Sequence, residues 1–466
     1  MSTLLSLNDT HKKSAAMLLF SFFALTCHEQ TQAMSPPQRS TPMTQNTDQV
    51  LQQTVNHPSQ ALASLSVIAI KQGKVVYENQ FGRRYIHPED AAQDMLANDQ
   101  TLYRMASVSK MVAAVGAMIL VEQGKLDLDA DISRYLGFQI RNPHFPTAPI
   151  TTRMLLSHTS SLRDDAGYNF PIKVNLKSFL VPGGAHYGDG SQWDKASQES
   201  SHAPGHFFRY VNLNWGILGS VMEAVSGQRF DHFMRDQLLR PLGMAGGYNP
   251  EELSVEELAN VAVLYRKKKE HDTVWNPSGP WIVQVDDYRG KAPLKRAGID
   301  SYVLGANASL FSPQGGLRTT VRGLARLMQM LMNQGELDGV RILQPASVAQ
   351  LLQVQWRYDA ARKNGDNDRG MFLSWSLGFQ HFTDVSAAHY GDRLVRQTPS
   401  FTGFGHLGEA YGLNSGFMFD PVTRNGMIFA LGGLSADSEA LFGEYSSLSP
   451  WEERILSALY AEIIKD

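Results

Sequence analysis

Cysteine is nearly missing from this chain of 466 residues: Cys27 is the only one. That excludes disulfides, and it removes thiol catalysis and cysteine-bound zinc from the mature body. Charge of one sign is missing too. Lys and Arg number 42 against 45 Asp and Glu, a formal net charge of -3, so neither a nucleic-acid footprint nor a polyacidic tail is present. The one basic cluster, Arg266 to Lys269, reads as a solvated loop or helix end. No Gly-x-Ser-x-Gly occurs, which argues against the nucleophile elbow of an α/β-hydrolase. No His-Glu-x-x-His occurs either, and Pro204 and Gly205 between His202 and His206 spoil a helical pair of metal ligands. The sequence therefore implies no metal and no cofactor. Internal repeats are absent as well.

What is present is ample core material. An apolar content of 43% over this length allows one large domain or two or three ordinary ones. Lys12 and Lys13 precede an apolar stretch, Ser14 to Thr26, of signal-peptide length and too short to span a bilayer. Thr31-Gln32-Ala33 offers a small-x-small cleavage site, while Cys27 sits where a lipoprotein acceptor would, although Ala24-Leu25-Thr26 fits a lipobox poorly. A buried N-terminal helix is the third reading. Residues 1–33 are therefore expected to be a leader of an exported, periplasmic or envelope-associated protein, anchored in the membrane only if Cys27 is lipidated.

Residues 34–60, rich in Ser, Pro, Thr and Gln, suit a flexible tether or a first polar helix. Residues 61–466 then form a single domain. Ser64 to Lys71 and Lys74 to Phe81 read as one hairpin, and Leu413 to Phe419 with Asn425 to Leu431 as another. An amphipathic helix over Pro450 to Ile464 follows. Strands at both ends with helices between predict an α/β fold of the α+β type. Its antiparallel sheet combines N- and C-terminal strands packed by helices, with a mainly helical lobe inserted over roughly residues 130–300. Two long stretches, 163–203 and 267–297, carry Tyr168, Phe170, Trp193, Trp275, Trp281 and Tyr288 and are expected to wall a pocket.

Chemistry concentrates in three places. Ser107 to Gln123 is apolar nearly all round, the pattern of a buried helix, and it opens with Ser107-Val108-Ser109-Lys110. Residues three apart share a helical face, so the Lys110 amine can reach the Ser107 hydroxyl and, if burial disfavours its charge, act as its base. The four-residue pattern alone is expected roughly once by chance in a chain this long. Tyr210-Val211-Asn212 places a phenol and a carboxamide two residues apart, able to relay a proton and hold a substrate carbonyl. The plainer alternative makes Tyr210 a packing residue and Asn212 a helix N-cap. His406-Leu407-Gly408 precedes the second hairpin; a strand there could present the Glu409 N–H, which with the Ser107 N–H would hold an oxyanion. Gly408 would let backbone approach closely, whereas a lone His in such a turn is otherwise structural. Asp164 and Asp165 read as exposed turn acids.

In this order, with a strand pair before and a strand pair and helix after, the three elements resemble the serine β-lactamase and penicillin-binding superfamily. The resemblance is to its class C-like branch of DD-peptidases, D-amino-acid peptidases and esterases. There the motifs are Ser-x-x-Lys, Tyr-x-Asn, and Lys-Thr-Gly or His-x-Gly. Leu126 to Ile132, Ile150 to Leu162 (ITTRMLLSHTSSL), Pro204 to Ser226 and Gly315 to Thr320 add to it, so that it covers roughly residues 60 to 465. The resemblance implies that Ser107 is acylated, Lys110 and Tyr210 move protons, Asn212 orients the substrate and His406 lines the site. The partner implied is a small-molecule or peptide acyl substrate. Where β-lactamases hold a carboxylate with Lys and Thr, this chain has His406 and Leu407. A carboxylate would lose about 1 to 3 kcal/mol there unless an arginine from elsewhere binds it. The departure tilts the expectation toward esters or uncharged acyl substrates, with DD-carboxypeptidase and β-lactamase as alternatives. A non-catalytic envelope scaffold of the same fold is the rival from another class.

Overall fold

The computed structural model describes residues 42–197, 201–267, 276, 278–434 and 442–465. The expected leader, residues 1–33, lies outside them, as do Trp275 and residues 268 and 269 of the basic cluster. Six antiparallel strands make the centre of a nine-stranded sheet. They are β1 (Ser64–Lys71), β2 (Lys74–Tyr85), β5 (Gln380–Phe382), β6 (Gly403–Ala410), β7 (Leu413–Asp420) and β8 (Asn425–Gly432). The spatial order is β5, β6, β7, β8, β1, β2, extended by Trp356–Arg357 and Ser374–Trp375 beyond β5 and by Met95–Leu96 beyond β2. A separate two-stranded piece pairs β3 (Tyr103–Arg104) with β4 (Arg318–Thr319). The sheet thus joins the two ends of the chain, with β1 against β8 from Ser64↔Gly432 to Ile70↔Gly426.

Both sheet faces are covered, which is why β1 (SLSVIAIK) is apolar at successive positions instead of alternating. Ile68, Ile70, Phe417 and Ile428 face a core that includes α2 (Val108–Glu122) and α4 (Val321–Met332). Leu65, Val67, Met418 and Phe429 face the other core, built on α1 (Pro42–Val55) and α5 (Pro450–Ile464). The two tight turns use left-handed backbone as two-residue hairpin loops demand: Gln72 and Gly73 at φ 51° and 80°, Tyr411 and Gly412 at 56° and 81°.

Of the two readings of residues 34–60, a helix is present over Pro42–Val55, and it is no solvated tether. Leu51 and Val55 are buried against the sheet, and Asp48 accepts hydrogen bonds from Tyr77 (2.6 Å) and Asn79 (2.8 Å) of β2. The stretch 267–297 contains a strand: Trp281–Val285 pairs antiparallel with Leu264–Lys267. Strands this short carry little periodicity in sequence.

Candidate active site

The chain enters α2 through a constrained corner. Met105 donates its N–H to Leu317 O (2.8 Å), its own carbonyl accepts from Ser415 Oγ (2.9 Å), and Ala106 sits at φ 44°, a costly value for a residue with a Cβ. Ser107 then occupies the N-cap of α2, yet its hydroxyl makes no cap bond. One turn on, the fully buried Lys110 places Nζ 2.9 Å from Ser107 Oγ, 2.7 Å from Asn212 Oδ1 and 2.9 Å from Gln314 O. Burial lowers its pKa to about 7, against the opposing pull of the Asp164 carboxylate. A neutral amine has two N–H donors and a lone pair. With the Asn212 and Gln314 oxygens taking the donors, the lone pair is left for the Ser107 proton. Ser109, the other hydroxyl of the motif, is buried and its Oγ accepts from Leu317 N (3.1 Å).

Tyr210 and Asn212 lead into α3 (Leu213–Ser226). The Tyr210 ring centroid is 4.8 Å from Lys110 Nζ, and the ring stacks between His158 (4.6 Å) and Phe372 (5.2 Å). Burial raises the Tyr210 pKa, with the Ser107 hydroxyl working against the rise, so the group is a neutral phenol that can pass a proton. His158, at φ 58°, accepts Val211 N–H on Nδ1 (3.0 Å) and Arg209 N–H on its carbonyl (2.9 Å), fixing this segment. Asn212 stands at the N-cap position of α3, but its side chain does not cap the helix. Asp164 does so instead, accepting from Asn212 N (2.8 Å), Leu213 N (2.9 Å) and Asn212 Nδ2 (2.9 Å). The expectation of an exposed turn acid is therefore corrected for Asp164, while Asp165 is exposed and paired with Arg163 (2.7 Å).

The third wall is β6. A Cβ at Gly408 would lie 2.7 Å from Met105 O and 2.9 Å from Ser107 N, so only glycine lets this strand reach the nucleophile's backbone. The turn at Tyr411-Gly412 makes Ala410 and Leu413 a hydrogen-bonded pair. Alternation along β6 then turns the Glu409 N–H away from β7, toward the side that β5 leaves uncovered beyond its last pair, Gln380 with Gly405. The N–H groups of Ser107 and Glu409 thus border one cleft, of about 810 Å³, that Tyr210, Asn212, Gln314 and His406 also line. His406 is buried, with Nδ1 against Leu407 O, and burial followed by Lys110 lowers its pKa to about 3. It is a neutral ring and supplies no cation. Leu407 points to the opposite face of the sheet, packing with the core there.

All seven residues expected at the site come together: Ser107, Lys110, Tyr210, Asn212, His406, Gly408 and the Glu409 backbone. The aromatic walls do not follow the expectation. Of the named aromatics in the two long stretches, Tyr168 lines the cleft, whereas Trp193 is buried in the core and Trp281 packs on Tyr265. No local pattern marks the positions of His158 and Asp164 in the site, because their partners lie about 50 residues away. Among the described residues, Asp231, His232 and Glu252 cluster elsewhere, but Arg229 pairs with both acids and competes with any cation.

A profile of the family described as Beta-lactamase matches residues 44–441. "Protein flp" of Staphylococcus aureus (strain N315) is 25% identical over 211 residues, covering 44% of this chain and 39% of its own length. A "Putative D-alanyl-D-alanine carboxypeptidase" of Escherichia coli (strain K12) is 26% identical over 304 residues, 61% of this chain and 63% of its own. The chain therefore spans less than two thirds of either relative. D-amino acid amidase from Ochrobactrum anthropi SV3, solved with D-phenylalanine, shares the fold with a TM-score of 0.59 at 18% identity, over 90% of this chain and 100% of that one. With the profile running from α1 past β8, over Ser107, Lys110, Tyr210, Asn212 and His406, the chain belongs to the β-lactamase family.

Proposed function

We propose that this protein is a serine hydrolase that forms an acyl-enzyme on Ser107, acting as an esterase, amidase or peptidase on small or peptidoglycan-derived substrates. The observation that carries this is the 2.9 Å contact between Ser107 Oγ and a Lys110 amine whose pKa is about 7. In acylation Ser107 Oγ bonds to the substrate carbonyl carbon as its proton passes to Lys110 Nζ. The carbonyl oxygen, now an oxyanion, takes hydrogen bonds from the N–H groups of Ser107 and Glu409. Collapse expels the leaving group, which takes a proton through Tyr210, and water then cleaves the acyl-Ser107 bond by the same path in reverse. Asn212 holds Lys110 and orients the substrate.

A DD-carboxypeptidase is the second reading, favoured by the name of the Escherichia coli relative. β-Lactamase activity ranks third, because Leu407 offers no donor to a drug carboxylate. A non-catalytic scaffold has no need of a buried lysine beside a serine. We place the protein in the cell envelope, exported through its N-terminal segment; among the described residues no helix is long and apolar enough to cross a membrane. Turnover of a neutral p-nitrophenyl ester, a D-Ala-D-Ala peptide and a chromogenic cephalosporin by one preparation tests the proposal. Ester or peptide turnover that vanishes in Ser107→Ala is expected, and a well-folded protein inert toward all three would refute it.

A further inference from the structure

Two arginines face one another across the short β3–β4 pair, Arg104 opposite Arg318. Like charges in register on adjacent strands repel, so a fold keeps them only with compensation or for a use. An ion pair exists for one of them. Buried Arg318 grips buried Asp286 through Nη2 (2.7 Å) and Nε (3.2 Å) and gives Nη1 to Gly316 O (2.8 Å). Asp286 holds φ 67° to do this, beyond the usual range for a residue with a side chain.

Arg104 is left over. Its Nε donates to Gly315 O (3.1 Å) and its guanidinium lies 5.0 Å from the Tyr411 ring centroid, but no carboxylate lies within ion-pair distance among the described residues. Among the described residues its two terminal nitrogens have no protein acceptor, and the half-buried side chain lines the same cleft as Ser107, three residues before it. Burial and then the neighbouring Arg318 press its pKa down against the opposing pull of Asp286, the mark of a cation held where it is not fully solvated. Arg369 also lines the cleft, but it is exposed and stacked on Phe442 (3.5 Å). Leu407, taken alone, argues for uncharged substrates; Arg104 supplies from another strand the charge that position 407 lacks.

Resting on the serine-hydrolase reading, we propose that Arg104 is a carboxylate anchor, and that the preferred substrates carry a free carboxylate. Planar bidentate pairing with a carboxylate is what two adjacent guanidinium nitrogens without partners are built to make. The carboxylate can belong to the acyl group or to the leaving group. Two matched pairs separate these: mono-4-nitrophenyl glutarate against 4-nitrophenyl butyrate, and a D-Ala-D-Ala peptide against its C-terminal amide. The wild-type protein should favour the carboxylated member of one pair. In Arg104→Leu the ratio of kcat/KM for that pair should fall about 10- to 100-fold, with partial retention in Arg104→Lys and full retention in Arg369→Leu. A ratio unchanged in Arg104→Leu, or lost in Arg369→Leu, overturns the proposal. Calorimetry on Ser107→Ala protein, with N-acetyl-D-alanine against its amide, reads the anchor without turnover. Carboxylate-selective binding lost on adding Arg104→Gln supports it, and equal binding of the two refutes it. Absence of Ser107-dependent turnover would instead refute the hydrolase reading and leave this binding result to decide for Arg104.

Discussion

Lys110 sits at the centre of a set of acceptors that tolerate it in either protonation state, and the chemistry turns on which state prevails. As the base it works only when neutral, so kcat/KM for a neutral ester should be low below pH 7 and rise as the pH passes about 7, where Nζ loses its proton. A flat profile from pH 6 to 8 would remove Lys110 from that role. Asp164 raises the Lys110 pKa by its negative charge, so Asp164→Asn should move the inflection to lower pH. Both Asp164 oxygens accept bonds from the start of α3 and Asn keeps only one acceptor, so urea unfolding should show a loss of about 1 kcal/mol. An inflection that stays in place would mean that the two groups do not communicate. At this scale the Ser107–Lys110 pair was legible because three residues along a helix is a local fact. The hydrogen bonds of Asp164 to Asn212 and of His158 to Val211 span 48 and 53 residues, and no local pattern announces them.

Among the elements, β6 does two jobs through simple alternation. Its His406 and Gly408 face the nucleophile, while Leu407 packs with the core behind the sheet. Gly408→Ala would drive a Cβ into the Met105 carbonyl and the Ser107 amide, neither of which can rotate away. Ester turnover should fall at least about 10-fold and stability by about 1 to 3 kcal/mol, measured by steady-state kinetics and urea unfolding; wild-type turnover in this variant would contradict the close approach. The helix α1 carries a separate prediction, that Pro42–Val55 belongs to the fold. Leu51, wholly buried between α1 and the core on α5, should cost about 2 to 5 kcal/mol when changed to Ala, against almost nothing if α1 were a solvated tether. The second hairpin and α5 could be read nearly to the residue, since alternation, turn residues and Pro450 at the helix start are all local, whereas β2 runs four residues past the expected Phe81, to Tyr85. The pairing of Trp281–Val285 was not, being five residues long and dependent on a partner strand of four.

Across the whole molecule, the cleft exists because both ends of the chain share one sheet. Residues near 107, 210, 314 and 408 meet where β6 runs past the starts of α2 and α3. Motif order along the sequence made this meeting predictable, but not the charges around it: Arg104 acquires its position only through β4, more than 200 residues later. The central claim is that Ser107 is the residue acylated. Peptide mass spectrometry after brief incubation with a fluorophosphonate or a p-nitrophenyl ester tests it most directly. The adduct is predicted on Ser107, lost in Ser107→Ala and slowed in Lys110→Ala; an adduct on Ser109 or on any other residue, or an undiminished one in Ser107→Ala, would contradict it.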